Sequence, residues 1–187
     1  MPDLEEMGKK RIVYTIPSME QVKVQKNITY KTGDGTDLKM DVYYPTDLQS
    51  DSQRPAVILV HGEGGDAEVL KDAKDWGVFV SFGQLIAASG FIAVTFHHRS
   101  TENLTRYEVA SDVDDLIEYV RDKAEPFNID KEHLCIWAFS AGVPGGLRAA
   151  MHETHPFIRC IVAYYGPMDL QHVRQFLSLI HISEPTR

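Results

Sequence analysis

Hydrophobic and polar positions alternate along the chain in two periods, and the period changes with each segment. Residues 22–31 and 38–44 are rich in β-branched and aromatic side chains, with the turn signal Thr32-Gly33-Asp34-Gly35 between them, so they predict a hairpin closed by Pro45. A polar linker (TDLQSDSQR) leads to residues 56–60, a short uninterrupted apolar run of the kind that fits a strand buried on both faces. Residues 79–88 read as a helix and 91–96 as a second buried strand. The clearest helix covers 107–124, where Val109, Val113, Leu116, Ile117 and Val120 share one face and Asp112, Asp114, Asp115 and Glu118 lie largely opposite. A strand at 134–139, a helix at 140–151 and a strand at 158–165 follow. This alternation predicts an α/β fold: a three-layer α/β/α sandwich on a mostly parallel twisted sheet with an antiparallel N-terminal hairpin.

Composition narrows the function. With 187 residues, 43% hydrophobic and 25% charged, the chain is an ordinary globular domain rather than a disordered or fibrous one. Its net charge of −8 argues against a nucleic-acid partner. Cys135 and Cys160 each sit in an apolar run, where a free cysteine acts as a small hydrophobe. The N-terminus has no signal-peptide core, so the cytoplasm is the expected compartment. The charge-free stretch 76–96 is long enough for a membrane span, but Ser89-Gly90 breaks it into a helix and a buried strand. The last residues, LSLIHISEPTR, read as a translated sequencing-library adapter. The expected organisation is an N-terminal extension at 1–20, a partial domain at 21–176 and a non-native tail at 177–187, the natural sequence stopping near Phe176.

In parallel sheets the working site lies beyond the carboxyl ends of the strands. Those ends carry His61-Gly62-Glu63-Gly64-Gly65, His97-His98-Arg99, Ser140-Ala141-Gly142 and Tyr165-Gly166-Pro167-Met168-Asp169. Ala138-Phe139-Ser140-Ala141-Gly142 matches the nucleophile elbow G-x-S-x-G with alanine in the first place. A serine helix cap would explain the pentapeptide equally well. Its position between a buried strand and a helix bearing Pro144, Gly145 and Gly146 makes the nucleophile reading the more specific. Acyl transfer also needs two preorganised oxyanion donors; the N–H of Ala141 is one candidate, and an N–H of Glu63 or Gly64 the other.

Through PAVILVHGEGG, FIAVTFHHRS, SDVDDLIEYVRDKAEPFNIDKEHLCIWAFSAG and IVAYYGPMDL the chain resembles the α/β-hydrolase superfamily, close to its esterase/lipase and dienelactone-hydrolase-like branches, over residues 22–170. The resemblance implies a serine hydrolase of small-molecule carboxylic esters with no cofactor and no metal. Ser140 is then the nucleophile, and His61, Gly62, Gly142 and Asp169 are supporting candidates. Two departures stand out: Glu63 interrupts the glycine loop, and Ala138 replaces a glycine. The acid and base of the family follow the nucleophile, and the base is expected to lie beyond Phe176. Asp169 with His172 keeps the order but not a workable spacing; Asp169 fits better as a turn residue, or as an acid whose histidine lies further on. His61 is expected to orient the glycine loop, and His97 and His98 to shape the pocket. His152 and His155 lack the spacing of a zinc helix. Two rivals remain: a dinucleotide reductase using Gly62-x-Gly64-x-x-Ala67 with Arg99 on a 2′-phosphate, and a non-catalytic binding module on the same fold.

Overall fold

The computed structural model describes residues 4–33, 35–62, 70–99 and 106–168. Among them, β1 (Lys23–Gly33), β2 (Thr36–Tyr44), β3 (Arg54–Val60), β4 (Ile92–Phe96), β5 (Ile129–Phe139) and β6 (Ile158–Tyr164) form one sheet in the order β1-β2-β4-β3-β5-β6. β1 and β2 are the antiparallel hairpin, β2 runs antiparallel to β4, and β4, β3, β5 and β6 are mutually parallel. The described part of the hairpin turn has Gly35 at φ 77°, a left-handed backbone that glycine adopts without strain.

Period-two alternation divides the strands between two layers. Ala56, Ile58 and Val60 of β3, and Ile92, Val94 and Phe96 of β4, face α3 (Arg106–Asp122) and α4 (Val143–Ala150). Leu59 and Ala93, with Tyr43 and Phe139, face α2 (Gly77–Ala88). Every residue of β4 is buried, as a strand covered on both faces must be. The expected α/β sandwich is therefore the observed fold. The charge-free stretch is divided as its Ser89-Gly90 turn implied, and no helix among the described residues is long and apolar enough to cross a membrane.

The chain departs from its pattern in four places. Strand β5 starts at Ile129 rather than 134, because polar residues 130–133 continue it past the apolar run that marked it. The helix after Phe139 begins with a 3-10 turn, Ser140–Gly142, and becomes α-helical only at Val143, with Pro144 in its first turn. Asp112, expected on the polar face of α3, is fully buried: its carboxylate accepts from Arg99 Nε at 2.9 Å, from the Arg99 backbone N–H at 3.1 Å and from Lys31 Nζ at 2.6 Å. Burial opposes its ionisation, but these donors outweigh burial and hold the carboxyl below its usual range. Cys160, expected to pack as a hydrophobe, is exposed on β6 in register with Cys135. Burial, then its neighbour Cys160, pushes the Cys135 thiol up to about 12.

At the N-terminus, α1 (Leu4–Lys9) and the strap after it lie against α2, where the Ile12 N–H donates to Ser81 Oγ at 3.1 Å.

Candidate active site

Ser140 stands where β5 turns into α4, with φ 51°. A non-glycine residue held in the left-handed region is strained, and such strain gathers at functional sites. Its neighbours make the turn possible. A Cβ at Gly142 would lie 2.2 Å from the His61 carbonyl oxygen, so only glycine lets β3 and this turn pass each other. The alanine at 138 also finds its explanation here. The position of its methyl leaves no room for one on α4: a Cβ at Gly146 would sit 2.8 Å from Ala138 Cβ and 3.2 Å from Ile136 Cγ2. Gly146 thus gives back the space that Ala138 takes. Gly145 has only Val113 Cγ2 at 4.0 Å and is not required by that contact.

The Ser140 side chain caps no helix. Phe139 precedes the 3-10 turn and Gly142 the α-helix, and neither cap position makes a side-chain bond. Ser140 instead lines a cavity of about 750 Å³ together with Gly62, His61, Trp76, Phe79, Phe82 and Phe139. Tyr164 and Tyr165, at the end of β6, close another side of it. The aromatic wall is tightly keyed: Phe79 meets Phe139 edge-on at 5.3 Å, and Trp137 stacks behind Phe139 at 5.3 Å. Gly62 is within reach of the serine, since a Cβ there would lie 3.5 Å from Ser140 Oγ.

His61 is buried, and its Nδ1–H donates to the Gly62 carbonyl oxygen at 2.7 Å. Its ring stacks on His98 with centroids 3.7 Å apart and planes 12° apart. Burial, then the His98 ring, hold the His61 pKa well below its ordinary value, so it is neutral at pH 7. Burial also lowers His98, which as a neutral ring donates to only one of two carbonyls in reach, Arg99 O at 3.0 Å or His61 O at 3.1 Å. Both rings thus hydrogen-bond backbone carbonyls just past the ends of β3 and β4. Neither His61 ring nitrogen bonds Ser140: Nδ1 is used, and Nε2 is buried with no partner among the described residues.

Sequence reasoning missed two features. Lys74, on the 3-10 turn Ala73–Asp75, is buried and pairs with the buried Asp41 at 3.1 Å, pinning a cavity wall to β2. Neither residue lies in a motif, and only a charge inside an apolar run (Asp41 between Met40 and Val42) hinted at it. The aromatic residues lining the cavity were visible only as apolar positions. Glu63, Gly64 and Asp169 lie outside the described residues, as do His172 and residues 177–187. Ala141 follows Ser140 in the 3-10 turn, among the amides that a helix start leaves without an intrahelical partner. Arg99, the candidate for a 2′-phosphate, spends its guanidinium on Asp112 through Nε and Nη2, both at 2.9 Å.

Known proteins place this geometry in context. The chain is similar to esterase 2 of the thermophile Thermogutta terrifontis: the native form superposes with a TM-score of 0.62 at 21% identity, covering 80% of this chain and 55% of that one. A tabun-modified form gives 0.65 at 20% identity, covering 90% and 64%. The chain thus spans a little over half the length of these structures. Among curated sequences it matches a non-reducing polyketide synthase of Penicillium roqueforti at 25% identity over 159 residues, which is 79% of this chain and 6% of that protein. A second such synthase, from Penicillium brasilianum, is 34% identical over 76 residues, 40% of this chain and 3% of that protein. The BD-FAE family model matches residues 40–185, from β2 through the elbow and beyond. The chain belongs to the BD-FAE family, a family of the α/β-hydrolase type.

Proposed function

We propose that this chain carries the nucleophile and the oxyanion site of a serine hydrolase acting on small carboxylic esters. The observation that carries the reading is Ser140 itself: strained at φ 51° on a strand-to-helix turn, engaged in no cap, and opening on an aromatic cavity. Ser140 Oγ attacks the ester carbonyl carbon while a base takes its proton. The carbonyl π pair moves to oxygen, and the N–H of Ala141 with one from Glu63 or Gly64 stabilises that charge. Collapse expels the alkoxide, which leaves as the alcohol with the base's proton, and water then releases the acid from acyl-Ser140. Gly142 and His61 serve by holding the turn and the loop at the required separation, and Gly62 by leaving the approach to Ser140 open. No described histidine hydrogen-bonds Ser140 Oγ, so the base belongs outside the described residues, and Asp169 stands as a candidate acid.

Esterase 2 of Thermogutta terrifontis has a paraoxon-phosphorylated form, which supports the hydrolase reading, and a propionate-bound form, which supports a short-chain ester. The test is Ser140→Ala. In the protein encoded by the complete gene it should abolish turnover of a short-chain nitrophenyl ester while the circular dichroism and urea midpoint stay unchanged; turnover retained by the folded variant would overturn the assignment.

A further inference from the structure

The N-terminal strap contributes one residue to the cavity, Lys10, and it is the only lysine, arginine or carboxylate among the cavity's described lining residues. Three cations follow one another there, Lys9-Lys10-Arg11, in a chain of net charge −8. They do not share a role. Arg11 hydrogen-bonds Gln84 on α2, whereas Lys10 forms no ion pair or hydrogen bond among the described residues. The strap holds Lys10 in place by close packing: a Cβ at Gly77 would lie 2.8 Å from the carbonyl oxygens of both Lys9 and Lys10. That glycine allows the strap backbone to rest directly on the start of α2. Ser81 fixes the next turn of chain through the Ile12 N–H, and Gly8 packs near Trp76, itself a lining residue.

A lone cation at the rim of an apolar, low-dielectric cleft focuses its field on that cleft and draws anions toward it. We propose that Lys10 forms a carboxylate-binding subsite of this cavity, so that the preferred substrates are apolar esters carrying a carboxylate remote from the scissile bond. The aromatic wall takes the apolar body and the Lys10 ammonium takes the anion. The inference rests on the hydrolase reading for the reaction, but the subsite can be measured by binding alone.

The intact chain is titrated with para-nitrobenzoate and, separately, with its neutral isostere para-nitrobenzamide, following quenching of tryptophan fluorescence at Trp76. The carboxylate should bind more tightly, and Lys10→Gln should weaken it roughly two- to fivefold, the range of an exposed ion pair, while leaving the amide unchanged. Added salt should narrow the gap between the two ligands, and Lys10→Arg should keep it. Equal weakening of both ligands by Lys10→Gln, no effect on either, or no binding of the carboxylate would overturn the proposal. Measured on the protein encoded by the complete gene, a Lys10-dependent preference without ester turnover would keep the subsite and remove the hydrolase reading; turnover without that preference would do the reverse.

Discussion

Exchanging the methyl between positions 138 and 146 tests whether the elbow's departure from glycine is compensated across the strand–helix contact. Gly146→Ala alone puts a Cβ 2.8 Å from Ala138 Cβ, a contact that must shift something. Overpacking of this kind costs about 1–3 kcal/mol, and replacing a helical glycine returns about 1 kcal/mol. The net loss is therefore about 0–2 kcal/mol. Ala138→Gly alone removes a fully buried methyl. That costs about 0.8 kcal/mol for the methyl and about 0.5–1 kcal/mol for a glycine inside a strand. In the double variant the 2.8 Å contact is gone and only the milder 3.2 Å approach to Ile136 Cγ2 remains, so most of the overpacking disappears. The coupling between the two sites should then approach the overpacking, about 1–3 kcal/mol in favour of the double variant. Urea unfolding of the four proteins at constant m-value measures it. A coupling within about 0.5 kcal/mol, the ordinary scatter of independent sites, would refute the compensation.

Three further outcomes are expected. His61 is neutral when folded and titrates near its ordinary value when unfolded, so the unfolded chain binds more protons as pH falls below about 6.5; urea midpoints should drop between pH 7.5 and pH 5 (about those values), and drop less in His61→Asn, which keeps a donor for the Gly62 carbonyl. Asp75 is held down at about 2, first by His97 and then, against burial, by Lys74, so its contribution is present above the unfolded carboxyl's range and is lost as pH falls toward 2; Asp75→Asn should flatten the acid limb of the stability profile there. Gly64→Pro removes an N–H from the glycine loop, and if that loop supplies an oxyanion donor, kcat for a nitrophenyl ester should fall on the order of 10²–10³-fold with the fold retained.

The sheet was legible because its strands are buried on both faces, and continuous apolar runs such as AVILV and IAVTF leave little else for those segments to be. The elbow was legible because small residues flank Ser140 where two backbones must pass, and Gly142 against the His61 carbonyl is that requirement in three dimensions. What stayed hidden depends on partners distant in sequence. Asp112 belongs to the polar face of α3 by periodicity, yet Arg99, three residues past β4, and Lys31 of β1 reach it, and no local pattern encodes that meeting. The same holds for Lys74 and Asp41, and for Lys10, which a reading of residues 1–20 as a mere extension leaves without a purpose. The exposure of Cys160 follows from the place of β6 at the edge of the sheet among the described residues, which depends on strand order rather than on composition.

The central claim is that Ser140 is the nucleophile, and covalent trapping tests it most directly. The protein encoded by the complete gene is treated with a fluorophosphonate and mapped by peptide mass spectrometry. A saturable adduct on Ser140 alone is expected, with ester turnover lost in step with labelling. Turnover that persists while Ser140 stays unmodified, or an adduct on another residue that abolishes it, would contradict the claim.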